Sequence, residues 1–266
     1  MIGDNHGTPP RRGVRFDVEA GSLSGQGHRD QWLAVMAVVG LPLETPCTFG
    51  GRDYQWRDVL SQALWDVPRN VEQEFSWTVA GVSYYLPSDF EWPARDGNRW
   101  SLAQLVQIEA DASLQLAACG GTHRLTGLAK AVKKRRSEGN AISGVWQQAE
   151  ELTLAAIDDF QHFQNGDGSF SSNYLGRRGW SPDLADVLRT TGHILEFIAI
   201  AGSDAVLQSD SLRGAATRLC QLFEATRMVE LECGALYHAL NGLLLYRQRM
   251  FPADPWRVPQ DGRTTA

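Results

Sequence analysis

Thr191-Gly192-His193-Ile194-Leu195-Glu196-Phe197 is the stretch on which the fold reading turns. It places a glycine and a histidine ahead of a run whose apolar residues recur at helical spacing. The same grammar recurs at Gly120-Gly121-Thr122-His123-Arg124-Leu125, at Gly27-His28-Arg29-Asp30-Gln31-Trp32 and, more loosely, at Gly234-Ala235-Leu236-Tyr237-His238. Each Gly or Thr is expected to open a helix. The intervals from His28 to Trp77, from Trp77 to His123 and from His193 to His238 are nearly equal. Only the step from His123 to His193 is longer, because it contains the long segment from Gln164 to Pro182. Near-periodic helix starts separated by one further helix predict an array of helical hairpins.

Working outward, the spacing predicts helices over 28–39, 54–67 and 74–86, stopped by Gly40, Pro68 and Pro87. Thr48 to Gly51 is expected to be a turn, and Glu91 to Trp100 a loop around Asp96-Gly97. Ser101 is the expected N-cap of a helix to about Leu116, with Gln104 in capping-box position. The His123 helix should end before Gly139, and Gly144 should open a helix to Phe163. Asp210 or Ser211 should cap a helix to Thr226, and Gly234 a last one to Met250. Inner helices would start near His28, Glu74, His123, His193 and Gly234, all pointing the same way, and their starts would gather on one rim. The fold class is therefore all-α, an α/α toroid or open horseshoe of alternating inner and outer helices. Residues 1–24 form an expected N-terminal arm, 25–251 the domain and 252–266 a polar tail.

Composition sets the function classes. The chain has 266 residues, 43% of them hydrophobic and 21% charged, with net charge −6. That acidity excludes a general nucleic-acid footprint. The basic run Lys133-Lys134-Arg135-Arg136 reads as a helix end that complements the dipole. No stretch is long and apolar enough for a membrane span. The four cysteines, Cys47, Cys119, Cys220 and Cys233, are too few for a disulfide scaffold. With no apolar signal-like segment near Met1, they point to the cytoplasm.

The candidate chemistry lies on the rim. His123 and His193 are the general acid/base candidates, and Glu196, three positions after His193, is an orienter or second acid/base. His28, Arg124, Glu74 and His238 are the substrate-binding candidates. Against each stands a packing role, an imidazole or ion pair bracing neighbouring hairpins. Asp167, in Asn165-Gly166-Asp167-Gly168, is first of all turn chemistry rather than a calcium ligand. No cofactor is expected. The alternative is zinc shared by Cys119, His123, Cys233 and His238, although neither spacing is a recognised zinc signature.

Three segments carry resemblances. Gln164-Asn165-Gly166-Asp167-Gly168-Ser169-Phe170 resembles the Gln-…-Asp-Gly-Ser-Trp loop of the prenyltransferase/squalene-cyclase repeats. Gly192-His193-Ile194-Leu195-Glu196-Phe197 is similar to the Gly-His-…-Glu-Trp segment of the N-acylglucosamine 2-epimerase group, in which the His and Glu act in proton transfer. Most closely, Cys119 to Leu125, the Asn165 loop and Thr190 to Glu196 resemble recurring segments of an uncharacterised bacterial family common in planctomycetes. That last match covers most of the chain from Gly25 to Phe251. These resemblances imply an α/α toroid, and through the epimerase group an isomerase- or hydrolase-like acid/base enzyme acting on a carbohydrate-like, polyhydroxylated ligand in a central cup. The alternatives are a non-catalytic helical-repeat scaffold binding a protein or glycan, and a terpene cyclase- or prenyltransferase-like isoprenoid enzyme. The cyclase Asp-rich motif and a counterpart of the prenyltransferase zinc ligands are both missing. About five inner helices, where sugar-enzyme toroids have six, imply an incomplete ring.

Overall fold

The computed structural model describes residues 13–19, 26–70 and 74–252. The expected arm and tail fall outside these, apart from 13–19 and Pro252. The described part of the arm packs down: the Phe16 ring lies 5.3 Å from Phe49 and 6.2 Å from Trp56.

The chain is mostly helical. Its α-helices are α1 (Gln31–Val38), α2 (Trp56–Asp66), α3 (Ser76–Tyr85), α4 (Leu102–Asp111), α5 (Thr122–Ser137), α6 (Val145–Asp159), α7 (Leu184–Ala201), α8 (Asp204–Leu207), α9 (Asp210–Thr226) and α10 (Cys233–Met250). Two segments expected to lack strands form short antiparallel hairpins instead. They are β1 (Pro46–Phe49) with β2 (Arg52–Gln55), and β3 (Glu91–Pro93) with β4 (Arg99–Ser101). Gly50 and Gly51, at φ +57° and +74°, turn the first hairpin, and Gly97 at φ +79° turns the second. Tyr54 thus belongs to a strand, and α2 starts two residues later, behind a capping box of Gln55 and Asp58. Ser101 caps α4 by accepting from the Gln104 amide at 3.1 Å, but α4 ends at Asp111, short of Leu116.

A larger correction concerns α7. The helix begins at Leu184, with Asp183 as its cap, so Thr191, Gly192 and His193 lie in its interior. Gly192 marks a close helix contact rather than a helix start. A Cβ there would meet the Ala239 backbone of α10 at 2.6 Å.

Helices α1, α3, α5, α7 and α10 form a row in which each touches the next. Residue numbers rise together along every pair, so neighbours run parallel. Between α1 and α3, Asp30 meets Thr78 while Ala34 meets Gly81. Between α3 and α5, Glu74 meets His123 while Ser76 meets Gly127. Between α5 and α7, His123 meets His193 while Lys133 donates to the Ile200 carbonyl. Between α7 and α10, Gly192 meets Ala239 while Arg249 donates to Ala199 O at 3.0 Å.

Helix α4 packs against α3 and α5, α6 against α5 and α7, and α9 against α7 and α10. Two apolar cores divide the row. Leu33, Leu60, Val79, Leu105 and Leu128 belong to the first, and Leu125, Leu188, Ile194, Leu219 and Ala239 to the second. A third, smaller cluster joins Ala34 and Val35 of α1, Trp77 and Ala80 of α3, and Tyr237 of α10. No helix among the described residues is long and apolar enough to cross a membrane.

Candidate functional site

A cavity of about 180 Å³ opens where the starts of α1, α5 and α10 and the middle of α7 meet, and His28, His123, His193 and His238 all line it. The Gln31 side chain of α1 accepts from the Gly27 amide at 2.7 Å and the His28 amide at 3.3 Å, holding His28 just ahead of the helix. His28 Nδ1 then lies 3.0 Å from Glu74 Oε1, ahead of α3. The same oxygen is 3.1 Å from His123 Nδ1. Two ring nitrogens converge on one carboxylate oxygen, and Glu74 Oε2 is buried without a partner.

Cys119 reaches the cavity through an unusual turn. Its backbone is left-handed at φ 50°, and Gly120 and Gly121 follow at φ 60° and 79°. A non-glycine residue in this region costs roughly 1–2 kcal/mol, and such strain gathers at functional sites. The Thr122 hydroxyl donates to Cys119 O at 2.8 Å and locks the turn onto α5. Gly120 leaves the space that Tyr174 fills, since a Cβ there would lie 2.4 Å from Tyr174 Cβ. The Tyr174 ring then meets His193 edge-on at 5.6 Å.

His123 Nε2 and His193 Nε2 face each other at 3.1 Å. Their other nitrogens are already committed. His193 Nδ1 lies 2.7 Å from the Arg189 carbonyl, one turn earlier in α7, and must donate there because a carbonyl only accepts. His123 Nδ1 faces the Glu74 carboxylate in the same way. Both rings therefore turn Nε2 toward one point, where a shared proton or a cation can lie. The ligand atoms of Cys119, His123 and His193 all lie within 4.8 Å of one another.

Burial of this cluster competes with its charges. Burial alone would raise the Cys119 thiol, but hydrogen bonds to His123 and His193 bring it down to about 5. His123, lowered by burial, is driven up to about 10 by Cys119 and Glu74. His193 falls to about 4 through burial and the neighbouring His238. Glu74, raised by burial, is pulled down to about 2 by His123 and His28. The Cys119 and His123 shifts run in opposite directions, as for a thiol and an imidazole that share a proton.

The same atoms lie close enough together to hold a cation. Zinc–nitrogen bonds of about 2.0–2.1 Å put two ligand nitrogens about 3.3 Å apart, close to the 3.1 Å seen here. The Nδ1 partners, a carboxylate for one ring and a carbonyl for the other, are the outer-shell contacts that orient metal-bound histidines. Three protein ligands would leave one position toward the cavity. His28, Glu74 and His123 also lie close enough to hold a cation. Their nearest nitrogens, however, are already hydrogen-bonded to Glu74.

The remaining expected site residues divide. Glu196 does not pair with His193. It is buried, takes the Asn241 amide at 2.5 Å and bonds His238 Nδ1, tying α7 to α10. Arg124 turns away from the cavity, with Nε 3.2 Å from Glu109 and a second nitrogen 2.7 Å from Ser113 O. His238 lines the cavity with its ring centre 3.6 Å from that of His193. Cys233 lines it too, at an exposed position, but is not part of the Cys119 ligand group. In that set Cys119 and His123 are joined by His193, in place of Cys233 and His238. All four cysteines are free. Asp167 is turn chemistry as expected: its carboxylate accepts from the Ser169 amide at 3.0 Å and pairs with Arg218 at 3.2 Å.

Sequence reasoning missed Arg189 and Tyr174. Arg189 precedes His193 by one helical turn, a signal hidden while α7 was expected to begin at Gly192. Tyr174 lies in the long loop, where no periodicity points to a partner. Comparison with protein-family profiles, with curated proteins and with solved structures finds no match for the chain. The resemblances noted above rest on the quoted residues alone.

Proposed function

We propose that the protein is a metal-dependent enzyme in which Cys119, His123 and His193 hold a zinc-class cation at the floor of the cavity. The observation that carries this reading is the facing pair of buried Nε2 atoms at 3.1 Å, each ring fixed by a partner on its own Nδ1, with the Cys119 sulfur within 4.8 Å. With each Nδ1 bonded to an acceptor, the two Nε2 atoms can hold either a proton or a cation between them. The nearby thiol supplies a third, soft ligand suited to zinc. A cation with three protein ligands polarises a substrate oxygen or activates water at its free position. Glu74 fixes His123, the Arg189 carbonyl fixes His193, and His28 brings a ring to the cavity wall.

The parallel row of five helices, with Trp77 bringing α1, α3 and α10 together, supports an incomplete α/α toroid with the cavity as its cup. Metal-free acid/base catalysis by His123 and His193 on a polyhydroxylated substrate is less well supported. It makes no use of Cys119, and each ring's Nδ1 is already bonded, that of His193 to the Arg189 carbonyl and that of His123 to Glu74. The scaffold reading accounts for Arg124 and Glu196 as braces, but it leaves the strained Cys119 turn without a purpose.

Elemental analysis of protein purified without chelator tests the proposal. One zinc per chain is expected, lost in Cys119→Ser and in His193→Ala. A wild-type chain that takes up no zinc when it is supplied, or a Cys119→Ser chain that keeps its full complement, contradicts it.

A further inference from the structure

The walls above the proposed metal position carry a charge pattern that the centre itself does not use. Arg189 and His193 stand one turn apart on α7, so their side chains share a face. The Arg189 carbonyl is bonded to His193, which fixes the root of the side chain beside the cluster. Arg189 is one of the residues that line the cavity. Only one of its nitrogens is engaged by a side chain, through a short ion pair to Asp186, and its Nε is buried with no partner at all. A guanidinium held in this way has a donor edge left for a carboxylate.

Two acids line the same cavity, Glu19 and Glu232, both exposed and neither in an ion pair among the described residues. Trp32 and Val35 of α1 and Tyr237 of α10 give the same cavity an apolar part of its lining. The cavity's ~180 Å³ suits a metabolite rather than a polymer. One cation, two carboxylates and an apolar wall match the three parts of an amino-acid-like molecule.

We propose that the cavity binds a small zwitterion of the α-amino-acid class. Its carboxylate lies on Arg189, its ammonium faces Glu19 and Glu232, and its side chain rests against Trp32 and Tyr237. This rests on the reading of the cavity as the functional site, and it names the substrate class of that site. A free amino acid and the end of a short peptide share this chemistry.

Isothermal titration of the zinc-supplemented full chain decides it, with L-leucine, glycyl-L-leucine, L-leucinamide and N-acetyl-L-leucine as probes. Saturable binding is expected for L-leucine or glycyl-L-leucine, and the tighter of the two identifies the source. Leucinamide lacks the carboxylate and N-acetyl-leucine the ammonium. Each should bind roughly tenfold more weakly or worse, the worth of one charge-assisted hydrogen bond. Arg189→Gln keeps the backbone carbonyl that orients His193. It should lower affinity for the zwitterions to the level of leucinamide while leaving zinc content unchanged. Glu232→Gln should weaken the zwitterions but not N-acetyl-leucine. The proposal is overturned if neither zwitterion binds, if all four probes bind alike, or if Arg189→Gln binds as the wild type does. Zinc content measured on the same samples separates this outcome from failure of the metal reading, because a zinc-free chain that still discriminates the probes sinks only the latter.

Discussion

Glu196 and His193 sit three positions apart on one helix, yet they do different work. His193 turns toward His123 and Cys119, whereas Glu196 turns toward α10 and accepts from both His238 and Asn241. Burial raises the Glu196 carboxyl, with Lys130 and Asn241 acting against that rise. Removing its side chain would strand two buried donors, and breaking a buried charged contact of this kind costs about 3 kcal/mol. Glu196→Ala should therefore lower stability in urea by about that amount and leave zinc uptake intact. A variant with wild-type stability and no zinc would place Glu196 in the metal centre instead. No spacing rule in the sequence separates these two roles, because both residues lie on buried faces of one helix and only the neighbours of each decide its partner.

At the scale of the elements, two glycines set how closely the row can pack. Gly192 lets α7 approach α10, and Gly127 lets α5 approach the Ser76 carbonyl at the start of α3, where a Cβ would come within 2.6 Å. Overfilling a close contact costs about 1–3 kcal/mol. Gly192→Ala should lose stability in that range, measured by chemical denaturation, and should also loosen His193, the next residue. Unchanged stability would mean that α7 and α10 do not meet as described.

The same glycine shows how far the sequence can be read. Its apolar surroundings mark a helix, but a glycine that serves a close helix contact reads the same as one that opens a helix, so the sequence does not show the first turns of α7. The two hairpins were hidden for a related reason. Turn residues such as Gly50-Gly51 and Asp96-Gly97 were legible, while the flanking strands are too short to show an alternating pattern. Ser101, the end of α5 and the span of α10 were legible because caps and breakers are local chemistry.

For the whole molecule, the recurring glycine–histidine segments pick out His28, His123, His193 and His238, which line one cavity, although His193 reaches it from the interior of α7. It could not show which of them would share a ligand. That depends on a left-handed cysteine, on a carboxylate ahead of α3 and on a carbonyl in the middle of α7, contributions from three separate stretches of chain. The central claim is that these three stretches build one metal centre with a thiolate ligand. Cobalt(II) tests it most directly, because a cobalt–thiolate bond gives a charge-transfer absorption in the near ultraviolet and tetrahedral geometry gives intense visible bands. Titration of the chelator-treated full chain with cobalt(II) should produce both, saturating at one equivalent. Cys119→Ser should lose the near-ultraviolet band, and His123→Ala and His193→Ala should lose the tetrahedral spectrum. A titration that yields only the weak spectrum of hydrated cobalt(II), or a thiolate band that persists in Cys119→Ser, would contradict the account.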